Sequence, residues 1–183
     1  MMSTPVIIAV SRSKTHSFSK PNEMSIRLVP GLGVEGDAHF GATVKHRHTM
    51  QKSPQAPNRR QVHLIDMERL EEFAQHGFDV KPGEMGENVT VRGVNLLDLP
   101  QGTRLRLGAR ALIEITGLRK PCSLIDKFQS GLMAETISKR EDGRVLWKAG
   151  VMSIVLEGGD IHAGDAITVI LPEGPHRPLE KVD

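Results

Sequence analysis

Short β-branched runs, many of them bounded by glycine or proline, recur from one end of the chain to the other. Val6-Ile7-Ile8, Ile113-Glu114-Ile115 and Ile167-Thr168-Val169-Ile170 are examples. Eighteen glycines and eleven prolines in 183 residues interrupt the chain too often for a helical bundle. Short strands joined by tight turns satisfy both features, so the fold is predicted to be mainly β with a few peripheral helices. The length suits one full-sized core and is short for two. No interior linker divides the chain, so residues 1–172 read as one domain. The charged, proline-rich stretch 173–183 reads as a loosely held tail.

Strands are expected over residues 5–10, 26–29, 61–65, 89–91, 105–107, 111–116, 145–148, 151–156 and 166–171. Asp66 is placed to cap a helix over 67–76, with Met67, Leu70, Phe73 and Ala74 on one face and Gly77 ending it. Further helices are expected over 123–128 and 132–139. Residues 38–58 have no apolar period and read as a long polar loop, a length usually associated with function. Gly83-Glu84-Met85-Gly86-Glu87-Asn88 is a glycine-punctuated turn, and 159–165 reads as another.

The formal net charge is only +2, yet no acidic residue lies between Asp37 and Asp66. That interval carries Lys45, Arg47, Lys52, Arg59 and Arg60, with His39, His46, His48 and His63. Such a patch attracts phosphates and other small anions. Aromatic residues make up 3% of the chain, too few for base-stacking platforms, so a small anionic ligand is expected and a nucleic acid is not. No stretch approaches the roughly 20 apolar residues that span a bilayer. The apolar run over 5–10 is also too short for a signal peptide. One cysteine makes neither an internal disulfide nor a multi-thiolate metal site, so the chain reads as a soluble, cytoplasmic protein of a reducing compartment.

That cysteine, Cys122, follows Arg119, Lys120 and Pro121 at the expected start of a helix. Cations and a helix N-terminus favour the thiolate, which is the nucleophile and the metal ligand. A small buried hydrophobe is the competing reading, and the local residues leave both open. The early histidines match no helical zinc spacing and read as polar loop residues beside the basic patch. Arg59 and Arg60 can present a fork to phosphate. Asn88 can meet a ligand edge, whereas Asp37 and Asp165 read as turn acceptors. No phosphate-binding P-loop, dinucleotide fingerprint or serine-nucleophile elbow is present.

Taken in order, several of these segments resemble MOSC domains, named for the C-terminal domain of molybdenum cofactor sulfurase. They are Gly36-Asp37-Ala38-His39, Arg60-Gln61-Val62-His63-Leu64-Ile65, Gly83-Glu84-Met85-Gly86-Glu87-Asn88, Leu99-Pro100-Gln101-Gly102, Thr116-Gly117-Leu118-Arg119-Lys120-Pro121-Cys122, Ala149-Gly150-Val151 and Gly164-Asp165. The resemblance runs roughly from residue 5 to 172 and implies a MOSC-type β-barrel. It implies binding of the molybdenum–pterin cofactor (molybdopterin), with Cys122 as the catalytic and metal-ligating residue. Arg60, Gln61, Asn88 and Arg119 are the implied cofactor-binding residues. The implied activity is reduction of N-hydroxylated compounds with a separate electron donor. A cysteine-persulfide sulfur carrier, loaded by a pyridoxal-phosphate-dependent desulfurase, and a non-enzymatic cofactor-binding module remain alternatives. The His/Lys/Arg segment departs from the family, which often carries a Gly-Gly-Pro-type turn there.

Overall fold

A computed structural model describes residues 3–182, the His48 side chain excepted. β1 (Val6–Ser11) is followed by β2 (Asn22–Glu23), β3 (Ser25–Val29) and β4 (Gly33–Val34). α1 (Arg47–Lys52) lies in the polar arm, and β5 (Val62–Asp66) runs directly into α2 (Met67–Gln75). β6 (Val89–Arg92), a single 3-10 turn at Leu96–Asp98, β7 (Arg104–Leu107) and β8 (Ala111–Leu118) come next. α3 (Leu124–Phe128) and α4 (Leu132–Glu135) are short, and β9 (Ile137–Lys139) pairs with β10 (Val145–Trp147). β11 (Val151–Glu157), β12 (Gly159–His162) and β13 (Ile167–Ile170) complete the order.

Eight strands share one sheet in the order β13-β7-β8-β11-β5-β6-β1-β2. Neighbours are antiparallel except β5 and β6, which run parallel because α2 carries the chain back between them. A second sheet, β12-β3-β4, contributes Ile26, Leu28 and Ile161 to the same apolar core as Ile7, Leu64, Val91, Leu105 and Ile113. α2 forms a separate cluster: Leu70 and Phe73 pack with Ile65, Met85, Ile125 and Leu132. Burying a side chain such as Phe73 contributes about 1.5–3 kcal/mol, which fixes the helix against the sheet. Ala74 belongs to the solvent side instead of the predicted apolar face.

Four expectations are corrected. The described residues do not form a closed barrel: β13 meets β1 only through the Val6–Ala166 bridge and neighbouring backbone bonds such as Ile167 N to Pro5 O, 2.8 Å. A register shift between Ile7 and Ala9 bends β1 near that seam, and the sheet stays curled but open. The polar arm is not a featureless loop, because α1 and a Thr43–Pro57 bridge fold it back on itself. The helix expected over 132–139 stops at Glu135. There the Thr136 hydroxyl bonds the Met133 carbonyl at 2.6 Å and Ile137 turns into β9. The tail is held: Leu179 and Val182 are buried, and Leu118 pairs with Glu180 and Val182 through bonds of 2.7 and 3.1 Å. No helix among the described residues is long and apolar enough to cross a membrane.

Candidate functional site

A cavity of about 350 Å³ opens where the 83–88 turn, the end of β8 and the 16–20 segment converge. The turn approaches the 16–20 segment so closely that a β-carbon on Gly86, at φ +86°, would stand 2.5 Å from the Phe18 carbonyl oxygen. That approach places Phe18 and Lys20 on the cavity wall. From the other side β8 delivers Arg119, Lys120 and Cys122, fixed by the bond from Arg119 N to Gly150 O at 3.0 Å.

Cys122 is partly exposed and lines this cavity. The Arg119 guanidinium is near enough to Cys122 for the two to interact electrostatically, and it donates to the Met85 carbonyl at 2.5 Å. It also lies 5.7 Å from the centre of the Phe18 ring, a cation–π distance. Burial lowers the Arg119 pKa from its ordinary value, and the neighbouring Cys122 and Glu87 oppose that shift. The sulfur therefore has a fixed cation nearby in the cavity wall.

Lys20, on the wall, forms a buried ion pair with Asp37, with Nζ 3.0 Å from Oδ2 and side-chain exposures of 5% and 2%. Burial pushes the Asp37 carboxyl up, but hydrogen bonds from His39 and the Lys20 charge hold it well below the usual carboxylate range. Asp37 also accepts from Ser13 N at 3.2 Å and His39 N at 3.0 Å, in keeping with its expected turn role. His63 is buried, and its Nε2–H donates to the Ala149 carbonyl at 2.8 Å. Burial, followed by the Arg119 charge, drives the His63 pKa well below its ordinary value, so it is a neutral structural donor. Its neighbour Gly150, at φ +96°, leaves no room for a β-carbon, which would stand 2.6 Å from Nε2.

Four of the five sequence-derived site residues meet here: Cys122, Arg60, Asn88 and Arg119 all line the cavity. Arg60 is steadied by a bond to the Val182 carbonyl at 2.8 Å. Asn88 acts as a brace, since its amide donates to Ser11 O at 3.1 Å and Asp37 Oδ2 at 3.2 Å and accepts from His63 N at 3.1 Å. Gln61 is not brought into the cavity. Its side chain donates to Gly31 O and Asn58 O and accepts from Val155 N, so it ties the polar arm to the sheets. The rim adds His16, His39, His46 and Arg47, and the wall adds the apolar Leu124 and Met152. The sequence missed Phe18, Lys20 and Met152, because each lies in a segment without a motif and reaches the site only through tertiary contact. Among the described residues no three His, Cys, Asp or Glu side chains are grouped to hold a metal ion.

The MOSC domain model matches residues 35–168, and the chain belongs to the MOSC domain family. The YuaD protein from Bacillus subtilis is similar in structure, with a TM-score of 0.76 and 25% identity over 93% of this chain and 98% of its own. YiiM from Escherichia coli shares the fold at a TM-score of 0.64 and 18% identity, covering 96% of this chain and 73% of YiiM. YiiM from Geobacillus stearothermophilus gives 0.56 and 15%, over 93% and 74%. No curated protein matches the chain in sequence.

Proposed function

We propose that the cavity holds the molybdenum–pterin cofactor with which the MOSC family is associated, and that the Cys122 sulfur is the protein's ligand to the metal. The observation that carries this reading is a partly exposed thiol, backed by Arg119, in a cavity rimmed with cations. A thiol with no cluster of other ligands among the described residues suits a metal that arrives already held by an organic group better than a bare ion. Arg60, Arg47 and Lys120 offer charge to a phosphate, while Phe18, Leu124 and Met152 offer apolar contact to a ring. When bound, the group supplies two-electron chemistry suited to reducing N-hydroxylated bases, with electrons from a separate donor. The chain's own residues hold the sulfur, fix its charge partner and shape the approach.

Molybdenum analysis of protein made in a cofactor-competent host tests this directly. Near-stoichiometric metal is expected, falling at least tenfold in Cys122→Ser; a metal-free wild-type preparation would sink the reading. A second reading draws on the partial exposure of Cys122 beside the exposed Lys120. The Cys122 sulfur there is reachable by the persulfide of a desulfurase, whose outer sulfur would pass to Cys122 and leave the donor cysteine as a free thiol. It predicts a reductant-reversible mass gain of one sulfur on Cys122. Equal labelling of Cys122→Ser would exclude it.

A further inference from the structure

Arg59 and Arg60 do not form the fork expected from their sequence. Arg60 lines the cavity around Cys122, whereas Arg59 lines a second, larger cleft of about 620 Å³. This cleft lies between the polar arm, the Gln101–Gly102 turn, β8 at Glu114–Thr116, and the tail at Arg177. Both lips are mounted rigidly. The Thr116 hydroxyl donates to the Arg59 carbonyl at 2.6 Å, and Gln101 N donates to the Arg177 carbonyl at 2.8 Å.

Arg59 and Arg177 are both exposed, and neither guanidinium hydrogen-bonds or ion-pairs with a described residue. Glu114, the one carboxylate in the lining, accepts from Arg104 Nε at 2.9 Å and is already neutralised. Two uncompensated planar cations lining one cleft supply the charge and donor forks with which arginine holds an oxyanion. The Gln101 side chain adds an amide to the same lining. We propose that this cleft is a second ligand site, specific for a small organic phosphate monoester, with Arg59 and Arg177 holding the phosphate. The cleft is within the size range of small-molecule sites and larger than a bare phosphate fills, so the organic part contributes to binding.

Phosphate itself is shared by the free anion and its esters, so the test uses three probes at low ionic strength: a hexose monophosphate, inorganic phosphate and the uncharged hexose. Backbone amide NMR shifts are followed at Gly102, Thr116 and Ile154, away from the Cys122 cavity. Saturable shifts are expected with the hexose monophosphate, weaker ones with inorganic phosphate, and none with the hexose. Arg59→Ala with Arg177→Ala is expected to weaken this binding by roughly tenfold or more. Arg60→Ala, with its side chain in the other cavity, is expected to retain it. Shifts confined to the Cys122 cavity, an unchanged affinity in the double variant, or no saturable shift would overturn the proposal. Equal affinity for inorganic phosphate would overturn the assignment to an ester. Because both arginines are exposed, an unperturbed spectrum of the double variant elsewhere is the control for folding.

Discussion

Lys20 and Asp37 neutralise each other where neither touches bulk water, and the pair joins the 16–20 segment to the base of the polar arm. Removing one partner leaves the other charge buried, which typically costs about 3–5 kcal/mol. Asp37→Ala is expected to lower unfolding stability by that amount in urea titrations near neutral pH. Because the folded carboxyl sits below its unfolded value, the stabilising contribution of Asp37 is complete above about pH 4 and declines only in stronger acid. Gly150, which is buried, is a second vulnerable point. Alanine there meets the His63 ring and the Leu64 backbone at a positive φ, so Gly150→Ala is expected to cost about 3 kcal/mol or more, read from the shift of the same transition. At this scale the site was half legible. Local chemistry made Cys122 a candidate with its role left open, Arg60 stood out as part of a possible phosphate fork, and Arg119 entered as a site residue through the family resemblance. Lys20 carried no signal, because its role exists only once Asp37 is folded against it.

At the scale of an element, the start of α2 carries a stored penalty. Asp66 occupies the cap position the sequence gives it, yet its side chain makes no capping bond and Oδ1 is buried without a hydrogen-bond partner. Burial raises its pKa to about 6, against an ordinary 3.8, despite the nearby Arg69. The folded state thus binds this proton more tightly than the unfolded chain, and stability falls as pH rises from about 4 through 6. Two units correspond to about 3 kcal/mol. Asp66→Asn is therefore expected to stabilise the protein by about 2–3 kcal/mol at pH 7.5 and by much less at pH 4.5, measured by denaturant unfolding at both values. Most strands were legible because β-branched runs end at glycine. Those that were not, such as β12 and the β9 half of a predicted helix, are short segments whose pairing partners, β3 and β10, lie far along or just ahead in the chain.

For the whole molecule, the tail is the feature that local composition misjudged. Its prolines and charges suggested looseness, but Leu179 and Val182 are 3% and 2% exposed, and the Val182 carbonyl holds Arg60. Deleting residues 178–183 is expected to lower stability by about 3 kcal/mol or more, from the two buried side chains alone, measured as a reduced denaturant midpoint. The seam between β1 and residues 164–167 has a further consequence, for synthesis. β1 pairs early with β2 and β6, but its Pro5–Ile7 edge meets residues 164–167 only after more than 160 residues have been made, and Leu118 waits for residues 180–182. Such distant contacts slow folding. On the ribosome the first strand therefore stays incompletely enclosed until residues 164–182 have emerged, and the core closes late in the folding of these residues.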